Sequence, residues 1–131
     1  MDAVMVYPAA SVRGRVRPPG DKSISHRYAL LASIAEGASH IRGYSTGGDC
    51  QSTLRCLRGL GVRIHQAGQA TGQGLDIEIE GRGLRGLQRP SSLLDAGNSG
   101  STIRMLSGIL AAQPFATSIT GDDSLLSLIH I

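Results

Sequence analysis

From Ile24 onward the apolar positions recur at helical spacing, with Ile24, Tyr28, Leu31 and Ala35 on one stripe and Gly37 as a stop. This predicts a first helix whose stripe faces a core. Ser39 to Tyr44 suits a short strand, and Gly47-Gly48 breaks the chain. Asp49 then stands where it can cap a second helix, whose apolar face carries Cys50, Leu54 and Leu57 and which Gly59 and Gly61 close. Val62 to His65 reads as strand and Ala67 to Gly74 as loop. Leu75, Ile77 and Ile79 alternate with Asp76, Glu78 and Glu80, the period of a half-buried strand, which makes those acids solvated rather than catalytic. A glycine-rich connection, Gly81 to Pro90, leads to a short strand at Ser92 to Leu94. A third helix from about Ser101 to Ala112 follows, with Ile103, Leu106 and Leu110 on one face and Pro114 beyond its end. Phe115 to Thr120 is a last strand before Gly121. Ahead of all these, Val4 to Arg17 reads as extended and ends at Pro18-Pro19-Gly20, where two prolines exclude helix.

The beginning and the end of this pattern resemble each other. A shift of 77 positions sets Gly20 on Gly97, Ser25 on Thr102, Arg27 on Arg104 and Ala35 on Ala112. After one further residue, Ile41 falls on Ile119 and Gly43 on Gly121. Each copy runs glycine turn, helix with an arginine in its opening turns, strand, glycine. A repeated unit of this length implies an α/β architecture with helices on sheets, the chain holding one full unit and the opening of a second.

Composition narrows the function classes. At 131 residues, 40% hydrophobic and 18% charged, the chain is globular in type, and no apolar run approaches membrane-spanning length. Met1 to Ser11 has neither a signal-peptide nor a transit-peptide pattern, so a cytoplasmic protein is expected. The net charge of +3 comes with scattered arginines and few aromatic residues, which argues against nucleic acid as a partner. Cys50 and Cys56 match neither a redox pair nor a zinc spacing and read as reduced packing residues. His26, His40, His65 and His130 have no metal spacing and read as surface or packing histidines, so no metal is expected.

The chain's one lysine lies in its most motif-like stretch, Gly20-Asp21-Lys22-Ser23-Ile24-Ser25-His26-Arg27. A glycine turn, a lysine and hydroxyls at a helix start suit an anion, because the unpaired N–H groups there carry about half a positive charge. A lysine at that end opposes the dipole, and a bound anion would remove the conflict. Arg27, about one turn on, can extend a bidentate fork over the same place. The plainer reading pairs Lys22 with Asp21, caps the helix with Ser23 and leaves Arg27 in solvent. The second copy, Gly97-Asn98-Ser99-Gly100-Ser101-Thr102-Ile103-Arg104, repeats the logic: Gly100 admits a close backbone approach, and Ser101 or Thr102 can cap or donate. Two such starts suggest one polyanionic ligand set between them. Neither matches a Walker A loop or a dinucleotide fingerprint.

The strings PGDKSISHR, GDCQSTLRCLRGLGV and LDAGNSGSTIR, in that order between about Arg13 and Leu125, resemble the N-terminal motifs of EPSP synthases. The resemblance implies transfer of the enolpyruvyl group of phosphoenolpyruvate to the 5-hydroxyl of shikimate 3-phosphate, with release of phosphate and no metal or organic cofactor. It implies a fold of repeated βαβαββ units in two domains. Residues 1–20 would join the other domain, 21–88 would form the first unit, and 89–131 an incomplete second one. Lys22 matches the lysine beside phosphoenolpyruvate at the reacting centre. Ser23 and Arg27 match the pair on the shikimate carboxylate. Asn98 and Gly100 match the loop lining the phosphoenolpyruvate site, with Ser101 where many members have threonine. Arg104 matches a motif arginine of structural or indirect role, and Asp49 an acidic position at the second helix start.

After Asp123-Ser124-Leu125 the family pattern continues into arginine, proline and methionine, whereas here Leu128-Ile129-His130-Ile131 stands and the sequence stops. This suggests a truncated or frame-shifted reading frame, lacking the C-terminal portion as a partner and inactive alone. It also predicts exposed Leu125, Leu126, Leu128 and Ile129 beside an open sheet edge. Two alternatives stand beside this reading: the sister transferase acting on UDP-N-acetylglucosamine, in which asparagine typically follows the lysine where Ser23 stands here, and a non-catalytic anion-binding or vestigial fragment.

Overall fold

The computed structural model describes residues 3–68 and 73–127. Residues 3–20 form no helix or strand, and Val4, Val6, Val12 and Val16 along them are 86–91% exposed. The segment is tied down at its end, where the Gly20 N–H donates to the Gln73 carbonyl at 3.2 Å.

Helix α1 (Lys22–Ile34) begins earlier than its apolar spacing suggests, because Asp21 caps it and Ser23 does not. The Asp21 carboxylate accepts from the Ile24 N–H at 2.7 Å. The helix buries Ser25, His26, Ala29, Leu30, Ala32 and Ser33. Ile24, Tyr28 and Leu31 are 51%, 59% and 62% exposed, which reverses the expectation that their stripe faces the core. Approach distance explains the reversal. A Cβ on Gly81 of the neighbouring sheet would strike the Ala32 and Ala35 carbonyls, so the helix backbone itself lies against the sheet on the side that carries Ala29, Ala32 and Ser33.

Strand β1 (Glu36–Tyr44), helix α2 (Gly48–Gly59) and strands β2 (Arg63–Gln66) and β3 (Leu75–Arg82) complete the first part. Gly37 lies inside β1 and is not the helix stop. The sheet order is β1-β3-β2, with β3 antiparallel to both neighbours. Strands β1 and β2 are therefore parallel to each other, joined by α2, with β3 inserted between them. Leu75, Ile77 and Ile79 are buried, while the acids of β3 face outward as its alternation predicts. There Glu78 meets His40 at 3.2 Å, and Glu80 meets Arg63 and His65 at 3.3 Å each. Helix α2 is capped by Gly47, leaving Asp49 in its first turn. It ends in a Schellman turn: Gly61, at φ 82°, donates to the Arg58 carbonyl at 3.0 Å, and Val62 donates to that of Leu57 at 3.1 Å.

The second part is thinner. Strand β4 (Leu94–Asp95), helix α3 (Gly100–Leu110) and strand β5 (Ile119–Thr120) form a β-α-β turn whose strands pair in parallel. Only the last two residues of the expected Phe115 to Thr120 strand are regular. A short helix α4 (Asp123–Ser127) follows, capped by the Asp122 carboxylate on the Leu125 N–H at 3.0 Å. Leu125 is only 6% exposed, contrary to expectation, because it folds back over Gly121 and Gly100. Leu126 is 40% exposed as expected, and Leu128 and Ile129 lie outside the described residues.

One core joins the parts: Tyr44, Leu54, Leu57, Leu60, Ile79 and Leu106 are each at most 1% exposed. Cys50 and Cys56 are free and buried within it, and burial pushes the Cys56 thiol up to about 11. The internal repeat has a counterpart in the backbone. A Cβ on Gly20 would strike the Gly43 carbonyl, and one on Gly121 would crowd the Gly97 carbonyl. These are matched positions of the two copies, so the same glycine crossing closes each.

Candidate functional site

The two repeated helix starts are capped alike. At α1 the Asp21 side chain takes the Ile24 N–H, and its carbonyl takes the Ser25 N–H at 3.0 Å. At α3 the Ser99 hydroxyl takes the Thr102 N–H at 3.1 Å, and its carbonyl takes the Ile103 N–H at 3.3 Å. Ser99 is thus the cap expected of Ser101 or Thr102. Helical geometry leaves the amides of Lys22 and Ser23, and of Gly100 and Ser101, without an intrahelical acceptor. The glycine whose conformation the second loop needs is Gly97, at φ 58°, whose N–H donates to the Asp95 carboxylate at 2.7 Å.

Lys22 pairs with Asp49, not with Asp21: its Nζ donates to Oδ2 at 2.9 Å across the starts of α1 and α2. That hydrogen bond, and then the Asp49 charge, hold the ammonium above its ordinary range. The anion that the lysine calls for at a helix N-terminus is therefore supplied by the chain itself. An incoming anion must share Lys22 with Asp49 or displace it.

Behind this pair runs a buried chain of hydroxyls. His26 Nδ1 lies 2.7 Å from Thr53 Oγ1, which lies 2.8 Å from Thr102 Oγ1. Thr102 Oγ1 lies 2.7 Å from Ser99 Oγ and 3.3 Å from the Asp49 carbonyl. The starts of all three longer helices are joined through Asp49, Thr53, Thr102 and Ser99. Ser25, the residue matched to Thr102 in the first copy, does similar work by accepting from the Ser45 N–H at 2.9 Å.

Of the residues singled out from sequence, the structure brings Lys22 and Asp49 into contact and connects Asp49 to the α3 start that carries Gly100 and Ser101, both half-buried. Ser23, Arg27, Asn98 and Arg104 are exposed and take no part in the contacts that join the starts. Sequence reading passed over Thr53 and took His26 for a surface or packing residue. The spacing of Cys50, Leu54 and Leu57 does put Thr53 on the buried face of α2, and that was the available signal. An open groove of about 470 Å³, lined in part by Ile103, Leu110, Phe115 and Ile119, lies against α3, and none of the candidate anion ligands lines it. No group of residues suited to hold a metal occurs among the described residues.

The profile of the family described as EPSP synthase (3-phosphoshikimate 1-carboxyvinyltransferase) matches residues 6–127. A 3-phosphoshikimate 1-carboxyvinyltransferase of Solibacter usitatus is 61% identical over 92% of this chain, which covers 27% of that relative. One of Alkaliphilus metalliredigens is 51% identical over 87% of the chain and 25% of its own length. The solved EPSP synthase from Acinetobacter baumannii superposes with a TM-score of 0.76 at 43% identity, over 86% of this chain and 24% of that one. The chain thus spans about a quarter of the length of the relatives it matches.

Proposed function

The chain belongs to the EPSP synthase family, and we propose that it is the N-terminal part of an enzyme that joins phosphoenolpyruvate to shikimate 3-phosphate. The observation that carries this reading is the Lys22–Asp49 pair, which bridges two helix starts and is linked through the Asp49 carbonyl to the third. Lys22 and the free amides of Gly100 and Ser101 form the cationic side of a phosphoenolpyruvate site, with Asn98 at its rim. Ser23 and Arg27 hold the shikimate carboxylate. Asp49 keeps Lys22 oriented and neutralised until substrate arrives, and Arg104 supports α3 from outside.

In the reaction the 5-hydroxyl oxygen bonds to C2 of phosphoenolpyruvate while a proton reaches the C3 methylene, giving a tetrahedral adduct. Loss of phosphate and of a C3 proton then yields the enolpyruvyl ether. Two anionic molecules must approach, so fixed cations and backbone donors that offset their repulsion form the main contribution of this segment. The proton-transfer groups belong to the remainder of the enzyme. Residues 1–20 cross to the other domain, 21–88 form one unit and 89–131 open the next. The setting is cytoplasmic; among the described residues no helix is long and apolar enough to cross a membrane.

Phosphate release and product formation are measured for the 131-residue chain alone and for the chain fused to the remainder of a close relative. The chain alone is expected to be silent and the fusion active. Turnover by the isolated chain overturns the assignment as a part; a folded fusion with no turnover overturns the assigned reaction.

A further inference from the structure

His26 is fully buried, yet it is a polar, titratable side chain with one ring nitrogen engaged. Its other nitrogen, Nε2, is buried without a hydrogen-bond partner among the described residues. Proton accounting along the hydroxyl chain points to Nδ1 as the nitrogen that carries hydrogen. A backbone carbonyl can only accept, so Thr102 spends its single proton on the Asp49 carbonyl or on its closer neighbour Ser99. Thr102 must then accept from Thr53, Thr53 has no proton left for the imidazole, and the hydrogen between them has to come from Nδ1. Nε2 is left with a bare lone pair, buried and without a partner among the described residues. Burial, the largest influence on this ring, lowers its proton affinity.

We propose that His26 is a positioning residue: a neutral imidazole protonated on Nδ1 that heads the chain through Thr53 to Thr102 and so sets the α3 start, with the Gly100 and Ser101 amides, relative to Lys22 on α1. The inference rests on reading the two starts as one anion site, and it adds a residue that touches neither substrate. It explains why three hydroxyls and an imidazole are buried beside the apolar core: apolar residues of the same volume would fill the space without fixing the register of one helix start against another.

The test uses the whole 131-residue chain. The ¹⁵N spectrum of its imidazoles should show His26 with a protonated Nδ1 and an unprotonated Nε2; the opposite tautomer, or titration in the range of a free histidine, overturns the proposal. Position is tested with two replacements. The first, His26→Asn, puts an amide nitrogen where Nδ1 lies, whereas the second, His26→Gln, puts one where Nε2 lies. Amide shifts of Gly100 and Ser101 should stay near wild type in His26→Asn and move in His26→Gln. In the chain fused to the remainder of a close relative, phosphoenolpyruvate affinity should fall less than about threefold in the first and roughly tenfold in the second. Gln is the closer match in volume, so equal behaviour, or better behaviour of His26→Gln, overturns the proposal. Where neither replacement folds, Thr53→Ser against Thr53→Val carries the same comparison, with Ser expected to preserve the shifts. If the wild-type fusion binds no phosphoenolpyruvate, the proposed function fails on that arm while the tautomer and amide shifts still decide the role of His26.

Discussion

The two parts of the chain begin with the same capped helix start and diverge from there. The first start is charged: Asp21 caps it, Lys22 follows, and Asp49 answers from α2. The second is neutral, with Ser99 as cap and Gly100 and Ser101 behind it. Their packing differs too. Helix α1 lies so close to β3 that Gly81 has no room for a methyl group, whereas α3 borders an open groove and a Cβ on its Gly108 would meet nothing within 4 Å. On the proposed function, a closely packed, charged start and a neutral one beside an open groove would divide an anion site between a fixed cation and backbone donors that must be held in place by something else. The buried hydroxyl chain is what holds them.

The strongest consequence of breaking this contrast is in packing. Gly81→Ala forces β3 and the end of α1 apart and should destabilise the chain by about 3 kcal/mol or more, while Gly108→Ala, in an exposed helix interior, should stabilise it by about 0.5–1 kcal/mol. Urea midpoints of the two variants decide this, and similar losses in both would mean that the parts are packed alike. Next comes charge. Lys22→Met should weaken phosphoenolpyruvate binding roughly tenfold to a hundredfold, Ser101→Ala by about fivefold or less, and Arg58→Met, in the last turn of α2, by less than about twofold. Calorimetric titration of the folded fusion measures all three, and equal effects of Lys22→Met and Arg58→Met would reduce the first start to a simple cap.

The weakest consequence is in pH. Burial holds His26 below its ordinary range, with Lys22 pushing the same way and Asp49 opposing. Below about pH 6.5 the unfolded chain therefore takes up a proton that the folded chain refuses. Stability from this site is whole above that pH and is lost as the pH falls through it. Urea midpoints at pH 7.5 and at pH 5 should differ more for wild type than for His26→Asn. Asp122 does not intrude, because the hydrogen bonds from Ser124 and Leu125 keep it below the usual carboxylate range.

Much of this was legible from residues alone where a local rule governs. The alternation in β3, the glycine stop after α2 and the matched glycines of the two copies follow from period and φ, properties of a few adjacent residues. The face of α1 was not legible: Ile24, Tyr28 and Leu31 make the better apolar stripe, yet the small residues on the other side decide how near the sheet can come. Helix α4 was missed because a five-residue element has no period to read, and its evidence is one cap at Asp122.

The family, the α/β order and the two motif stretches that open α1 and α3 were already written in the amino-acid order, because motifs and glycine turns act over a few residues. Packing was needed to show that Lys22 answers Asp49 rather than Asp21, and that His26 reaches Thr53 and through it Thr102. Those partners lie 27 and 49 positions apart along the chain, and no local pattern specifies which buried donor meets which buried acceptor until the helices have packed.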